Sequence, residues 1–184
     1  MKNQIRQKIK SQRNSLSKEE VFLKSNLASD LFLSSKEYIS SSVIMLYMPL
    51  GNETDTLAII SRAFEDGKKV VLPITDVENV DIIPYYISDI SDLRVGAYSI
   101  REPQNGSVAP IDEIDTVVVP GIAFDCHGGR IGFGKGYYDR FLSAFNGIKI
   151  GFCYDFQLVE NAYPELHDVM MDYVVTNKEI FKCK

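Results

Sequence analysis

The sequence predicts an α/β fold, a three-layer α/β/α arrangement in which a mainly parallel, Rossmann-like sheet lies between two layers of helices. Short apolar segments rich in β-branched residues recur along the chain, and such segments are typical of strands buried on both faces. Helical patterns join these segments into two β-α-β units, which place helices on both sides of a parallel sheet. We expect one domain that covers residues 1–184.

Two helices are predicted before any strand. Residues 2–14 carry isoleucines at helical spacing, which indicates a helix docked on the domain. The second helix begins after Ser17, because Ser17 and Glu20 form a Ser-x-x-Glu capping box, and it extends to about Ser34.

The first β-α-β unit follows these helices. Ser42–Met48 is predicted to be an apolar strand that a proline ends. A helix at Thr54–Asp66, ended by Gly67, and a second buried strand at Lys69–Pro73 complete the unit. Residues 80–110 are rich in Tyr, Ser and Pro and have weak periodicity, so we expect short strands and loops there.

The second β-α-β unit begins with a strand at Thr116–Pro120 and continues through a glycine-rich loop. A helix from about Lys135 to Phe145 is then predicted, followed by a strand at Ile148–Phe152. A last short strand at Tyr173–Thr176 leads to a brief tail.

Charge and composition exclude several classes of function. The net charge is −5, and the first thirteen residues hold five basic side chains and no acid, so the rest of the chain is more acidic still. An acidic chain of this kind lacks the broad basic face of a general nucleic-acid-binding protein. The chain has no apolar run near the roughly 20 residues of a membrane span and no apparent secretory signal. We therefore expect a cytoplasmic monomer that binds neither nucleic acid nor membrane.

The loop after the Thr116–Pro120 strand carries the strongest functional pattern. It contains six of the chain's twelve glycines, interleaved with Arg130 and Lys135. Glycines allow successive backbone N–H groups to surround phosphate oxygens, and a helix that begins near Lys135 adds its positive dipole end. The loop therefore predicts an anion site; the alternative is a flexible surface loop whose glycines serve turns only.

This loop differs from the two common nucleotide motifs. Gly129-x-x-x-x-Gly134-Lys135 satisfies the first part of the P-loop pattern, but Gly136 stands where a serine or threonine should hold magnesium. The dinucleotide fingerprint fails at Tyr137, where it requires a glycine. The pattern indicates a phosphate loop of another kind.

Because Gly136 has no hydroxyl to bind magnesium, carboxylates are the candidate magnesium ligands. Asp139 lies one turn into the helix behind the loop, where it could reach a nucleotide-bound magnesium or could be a solvated helix-surface residue. Asp168 and Asp172, which precede the final strand, are further candidates that spacing alone does not rank.

The glycine-rich loop is part of a longer pattern. In order, its residues are Val119-Pro120-Gly121-Ile122-Ala123-Phe124-Asp125-x-x-Gly128-x-Arg130-Ile131-Gly132-x-Gly134-Lys135-Gly136-Tyr137-Tyr138-Asp139-Arg140. This pattern resembles the signature of the 5-formyltetrahydrofolate cyclo-ligase family, also called methenyltetrahydrofolate synthetase. Other pieces follow the order of that family, so the resemblance spans essentially the whole chain. They are Lys2 with Arg6, Tyr47-Met48-Pro49 with Glu53, and His167-Asp168 with Met171-Asp172.

The resemblance implies an ATP-dependent ligase. In that family ATP activates the formyl oxygen of 5-formyltetrahydrofolate, N10 attacks, and phosphate leaves to give 5,10-methenyltetrahydrofolate and ADP. The implied small-molecule partners are ATP and 5-formyltetrahydrofolate, with Mg²⁺ as the cofactor. One alternative is a noncatalytic folate- or nucleotide-binding protein of the same fold, and another is a sugar-phosphate or acyl-CoA enzyme on a similar sheet.

The resemblance also implies roles for individual residues. Lys135 and Arg130 would be catalytic, and Asp139 and Asp168 would hold magnesium. The ATP site would comprise Lys2, Asn3, Gln4, Ile5, Arg6, Arg130, Ile131, Gly132, Phe133, Gly134, Lys135, Gly136, Tyr137 and Tyr138. The folate site would comprise Tyr47, Met48, Glu53 and Tyr138. Judged without the resemblance, Lys2 and Arg6 are better explained as solvated helix charges, and Glu53 also fits an exposed loop acid.

Overall fold

A seven-stranded sheet forms the centre of the protein, which a computed structural model describes over residues 1–183. Within that range the strands are β1 Val43–Met45, β2 Lys69–Asp76, β3 Asp81–Ile87, β4 Leu93–Val95, β5 Arg101–Pro103, β6 Thr116–Val119, β7 Ala123–Phe124, β8 Arg130–Ile131, β9 Ile148–Phe152, β10 Tyr173–Val175 and β11 Ile180–Lys182. The α-helices are α1 Lys2–Asn14, α2 Lys18–Leu33, α3 Lys36–Ser40, α4 Leu57–Glu65 and α5 Tyr137–Ser143.

The central sheet is mainly parallel, as predicted. Its strands lie in the order β3-β2-β1-β6-β9-β10-β11, and those from β2 to β10 pair in parallel. The edge strands β3 and β11 run antiparallel to their neighbours. Two hairpins, β4–β5 and β7–β8, lie outside this sheet within the described chain.

Helices cover both faces of the sheet, which confirms the three-layer arrangement. On one face Ile44 and Val118 pack in a core with side chains of α2, α3 and α4. On the other face the alternate residues Met45 and Val117 pack with Phe141 of α5. Because neighbouring strand residues enter different cores, the central strands are apolar without alternation.

Helix α1 does not pack in either of these two cores. Its buried Ile9 packs with Ile122, Ala123 and Ile131 in a small separate core at the β7–β8 hairpin. This contact holds α1 beside the glycine-rich loop rather than on the sheet. Within residues 1–183, no helix combines the length and apolarity required to cross a membrane.

Several elements are shorter than the sequence predicts. Strand β1 ends at Met45, although Tyr47 and Met48 are still buried, because the Thr56 hydroxyl donates to the Tyr47 carbonyl in place of a strand partner. Helix α5 begins at Tyr137 rather than near Lys135, since Gly136 has a left-handed backbone with φ of 76°.

Residues 80–110 form short strands and loops, as predicted, whereas the predicted tail is more ordered than expected. Strand β11 extends the sheet at its edge, where the sequence indicated only a tail. Strand β3 forms a long hairpin with β2, and the β4–β5 hairpin follows it. Pairing with an existing strand stabilises such short segments, and local periodicity does not reveal it.

Candidate active site

A cavity of about 1260 Å³ lies beyond the carboxyl ends of the parallel strands. Its walls come from the start of α1, the loop after β1, the β4–β5 hairpin, the glycine-rich loop with α5, and residues 163–168. This is where ligands bind in open parallel sheets. Of the residues predicted for the site, it is lined by Lys2, Asn3, Arg6, Tyr47, Met48, Glu53, Arg130, Gly132, Phe133, Gly134, Lys135, Gly136, Tyr137, Tyr138, Asp139 and Asp168.

Three residues predicted for the ATP site do not contribute to this lining. Ile131 is 1% exposed and packs in the small core around Ile9. Ile5 packs against the same core, and Gln4 is exposed. On a helix, residues four positions apart share a face, so Lys2 and Arg6 can face the cavity while Ile5 faces the core.

The glycine-rich loop bends sharply where it meets the cavity. Gly134 and Gly136 have φ of 96° and 76°, in the left-handed region that side chains other than glycine rarely adopt. At each position an added Cβ would meet open space, so the backbone conformation is what requires glycine there. These two bends present the exposed side chain of Lys135 to the cavity.

Arg130 is held firmly in the wall of the cavity. Its Nη2 donates to Asp139 Oδ1 at 2.8 Å, and its Nη1 donates to the Pro120 carbonyl at 3.4 Å. The guanidinium carbon lies 5.8 Å from the centre of the Tyr138 ring. The side chain is 5% exposed, and its Nε has no acceptor among the described residues. A buried cation with one nearby carboxylate can stabilise additional negative charge at the cavity.

The start of α1 is fastened to two loops across the cavity. Lys2 Nζ donates to Glu165 Oε1 and to Asp168 Oδ2, each at 2.9 Å. Arg6 Nε donates to the Gly132 carbonyl at 3.0 Å. Burial opposes ionisation of Asp168, yet the Glu165 N–H and the Lys2 ammonium hold the pKa of this carboxyl below its usual value. The acid is therefore charged at neutral pH.

Glu53, in the loop after β1, also lines the cavity. It is 8% exposed, accepts the Leu50 N–H at 3.0 Å, and lies 3.6 Å from Arg13 Nη1. Burial raises the pKa of the Glu53 carboxyl, while the Leu50 N–H and Arg13 act in the opposite direction. Beside it, the Tyr47 hydroxyl donates to the Thr54 carbonyl at 2.7 Å. The loop thus presents a desolvated carboxylate on a fixed backbone.

The structure adds residues that sequence reasoning missed. Tyr98, at the tip of the β4–β5 hairpin, has φ of 54° and places its hydroxyl 3.0 Å from that of Tyr137. Its ring centre lies 5.5 Å from Lys135 Nζ. No local pattern marks Tyr98, whereas Glu165, a carboxylate three positions before Asp168, could have been found by that spacing. Other cavity residues not predicted are Met1, Leu50, Pro73, Thr75, Ile82, Ile100, Pro120, Arg140, Ser143, Tyr163 and His167.

The residues present suit a nucleotide-bound magnesium better than a free one. Among the described residues no group of three or more His, Cys, Asp or Glu side chains could hold a metal. Asp139 and Asp168 nevertheless both line the cavity. Magnesium commonly takes one or two carboxylates together with phosphate oxygens and waters, so this donor set fits a metal that arrives with phosphates.

Comparison with known families identifies the chain's relatives. The model of the 5-formyltetrahydrofolate cyclo-ligase family matches residues 1–177. The chain belongs to this family. The predicted family is confirmed, and with it the predicted enzyme class, a cyclo-ligase of folate metabolism.

Relatives of the cyclo-ligase family agree in sequence and in fold. The 5-formyltetrahydrofolate cyclo-ligase of Escherichia coli K12 is 29% identical over 152 residues, which cover 78% of this chain and 82% of that protein. The Haemophilus influenzae cyclo-ligase is 32% identical, over 68% of this chain and 71% of its own. The solved 5,10-methenyltetrahydrofolate synthetase of Aquifex aeolicus is 35% identical, with a TM-score of 0.88 over 100% of this chain and 93% of its own.

Proposed function

We propose that this cyclo-ligase converts 5-formyltetrahydrofolate to 5,10-methenyltetrahydrofolate in the cavity described above and consumes ATP as it does so. The observation that carries the proposal is that the glycine-rich loop and the buried Glu53 line one cavity. Its volume of about 1260 Å³ exceeds the roughly 300–1,000 Å³ of a typical pocket for one small ligand, so there is room for two substrates.

The reaction needs activation more than it needs a protein nucleophile. The formyl oxygen of an amide is a poor leaving group. Transfer of the γ-phosphoryl group of ATP to this oxygen releases ADP and makes the oxygen part of a phosphate. N10 then attacks the formyl carbon and loses its proton, the carbon–oxygen bond breaks, and phosphate leaves. Such a reaction is promoted mainly by positioning and by neutralisation of charge.

The glycine-rich loop would carry the phosphoryl transfer. Lys135, exposed between two bends of the backbone, would contact the transferred group directly. Arg130, fixed by Asp139, would hold a second positive charge in the wall. Lys2 and Arg6 would bind the remaining phosphate oxygens. When bound, magnesium would neutralise phosphate charge, with Asp139 and Asp168 as its protein ligands.

The folate would bind in the part of the cavity that Glu53 lines. A carboxylate accepts hydrogen bonds only, so it suits the N–H groups of a pterin ring. Tyr47 and Met48 would supply the adjacent apolar wall, and Tyr138 lines the same cavity with its ring beside Arg130. The cytoplasmic location and the monomeric state expected from the sequence remain predictions.

One assay tests the proposal directly. Purified protein is incubated with 5-formyltetrahydrofolate, ATP and magnesium, and the methenyl chromophore and ADP are followed together. We expect both products in equal amounts, and neither when ATP or magnesium is omitted. Binding of ATP and 5-formyltetrahydrofolate without turnover would instead support the alternative of a noncatalytic binding protein.

A further inference from the structure

The two aspartates proposed to hold magnesium already have cationic partners in this structure. Arg130 pairs with Asp139 at 2.8 Å, and Lys2 pairs with Asp168 at 2.9 Å. Both cations are also proposed phosphate ligands. Each carboxylate proposed to bind magnesium is therefore paired with a cation proposed to bind the phosphates of the nucleotide.

The Lys2 pair is the more exchangeable of the two. Lys2 Nζ lies between two carboxylates, those of Glu165 and Asp168, at 2.9 Å from each. The Lys2 side chain is 20% exposed and that of Glu165 is 59% exposed, whereas the Arg130 side chain is only 5% exposed. The Asp168 side chain is only 14% exposed, so this pair is partly buried, but Lys2 is held less firmly than Arg130 because both Lys2 and Glu165 reach solvent.

The two carboxylates carry one more negative charge than the Lys2 ammonium neutralises, and His167 Nε2, at 3.6 Å from Asp168 and 3.9 Å from Glu165, adds a positive charge only when it is protonated. This excess favours a cation of higher charge, but a divalent ion can reach the Asp168 oxygen bound to Lys2 only if Lys2 moves away. A departing ammonium needs a new anion, because Lys2 begins a helix whose Ile9 anchors it close to the cavity. The phosphates of a nucleotide would supply that anion.

We propose that Lys2 is a resident cation in the metal site and that a magnesium–nucleotide complex displaces it. Lys2 exchanges Glu165 and Asp168 for phosphate oxygens, and the freed carboxylates become available to the divalent ion. Glu165 is thereby assigned a role as a second acidic group of the site. The inference rests on the proposed function, since it takes the nucleotide as the arriving ligand.

The exchange predicts coupled binding. Without nucleotide a divalent ion competes with Lys2 and binds weakly, whereas with nucleotide the competition disappears. Removal of Lys2 should therefore have opposite effects on the two ligands: metal alone binds more tightly, and nucleotide binds less tightly. A lysine that served only as a phosphate contact would not strengthen metal binding when it is removed, and a lysine that served only as a structural ion pair would not weaken nucleotide binding.

The decisive measurement is Mn²⁺ binding in the absence of nucleotide, read from the loss of the free-ion electron paramagnetic resonance signal. We compare wild type, Lys2→Met and Lys8→Met, in which the control removes an exposed lysine of the same helix. The N-terminus must carry no tag, since Met1 lines the cavity. We expect Lys2→Met to bind Mn²⁺ about threefold more tightly or better, the scale of one partly exposed ion pair, and Lys8→Met to match wild type.

A double variant tests whether the gain in Mn²⁺ affinity depends on Asp168. In Lys2→Met combined with Asp168→Asn, the gain in Mn²⁺ affinity should be lost. With a non-hydrolysable ATP analogue and magnesium, Lys2→Met should bind the analogue about tenfold more weakly, as expected when one charged hydrogen bond is lost. Unchanged or weaker Mn²⁺ binding by Lys2→Met, or a gain that persists without Asp168, would overturn the inference.

The proposed function has a separate test. Its failure would appear as a wild-type protein that forms no methenyl product, a result independent of the Mn²⁺ comparison. Failure of the exchange would appear as an active enzyme whose Mn²⁺ affinity does not respond to Lys2→Met.

Discussion

At the scale of single residues, Lys135 is the side chain proposed to contact the transferred phosphoryl group. It is exposed and lies between two glycines with left-handed backbones. We expect Lys135→Ala to lower kcat at least about a hundredfold, the scale of one well-placed electrostatic contact with a transferring group. The measurement is the steady-state rate of methenyl formation, with Lys18→Ala, at the exposed start of α2, as the control. A near-normal rate would mean that the loop does not handle the transferred group.

Asp155 makes folding stability depend on pH. Burial opposes its ionisation, but hydrogen bonds from Lys178 and Lys24, at 2.7 and 2.9 Å, lower the pKa of its carboxyl from 3.8 to about 2. A carboxyl whose pKa is lower in the folded state stabilises that state above its unfolded pKa, and this stabilisation is lost as pH falls through the folded pKa.

We therefore expect Asp155→Asn to lower the free energy of unfolding by about 1 kcal/mol at pH 7, after allowance for solvent screening. The difference from wild type should shrink as pH falls from about 4 to about 2. Urea unfolding at several pH values checks this, with Asp30→Asn, at an exposed aspartate of α2, as the control. A difference that does not change with pH would exclude the ion pairs as its cause.

Individual site residues could be predicted where they belong to a continuous pattern. Lys135 and Asp139 follow from the glycine-rich loop and the helix behind it, and both line the cavity. The sequence could not reveal that Asp139 is paired with Arg130, or Asp168 with Lys2, because each pair depends on how distant or turning segments meet. The spacing of residues in the sequence shows which charged side chains are available, whereas the fold determines which of them form ion pairs.

At the scale of elements, the β4–β5 hairpin has a backbone conformation at its tip that its sequence does not indicate. Its tip holds two successive residues with positive φ, Tyr98 at 54° and Ser99 at 61°, a conformation that costs free energy for side chains other than glycine. The buried Glu102 carboxylate fixes the tip by accepting the N–H groups of Thr75 at 3.0 Å and Ala97 at 3.3 Å. The hairpin is thus held in a strained form that brings Tyr98 over the glycine-rich loop.

We expect Tyr98→Ala to lower kcat/KM about threefold to tenfold, because the ring that faces the Lys135 ammonium is lost. Tyr98→Phe keeps that ring and should recover most of the activity. Steady-state kinetics test both, with Val95→Ala as a control at an exposed position of the same hairpin. Equal losses in the alanine and phenylalanine variants would assign the effect to the hydroxyl contact with Tyr137 instead.

Elements could be predicted where local chemistry defines them. The capping box of Ser17 and Glu20 begins α2 as expected, and the apolar run Thr116–Val119 forms a central strand. Strand β11 was not predicted, and the short strands expected within residues 80–110 were given neither bounds nor partners, since none of these segments has a long apolar run. These strands are stabilised by partners elsewhere in the chain, which no local window contains.

At the scale of the whole molecule, the cavity joins distant parts of the chain. Ligands that bind across it should stabilise the entire fold and not one loop. A non-hydrolysable ATP analogue with magnesium at about 100 times its Kd should add about 2.7 kcal/mol to the free energy of unfolding, which raises Tm by roughly 5–11 °C for a chain of this size. Differential scanning fluorimetry checks this, and adenosine at the same concentration should give a much smaller shift because it lacks phosphates.

The pairing of Lys2 with Asp168 spans 166 positions. During synthesis α1 leaves the ribosome long before the loops that receive Arg6 and Lys2, which lie at Gly132 and at Glu165 with Asp168. The Ile9 face of the helix therefore stays uncovered until the β7–β8 hairpin, which supplies Ile122, Ala123 and Ile131, has emerged. A nascent chain stalled before residue 130 would lack both most of the glycine-rich loop and part of the core that holds α1, so incomplete products of translation could not form this cavity.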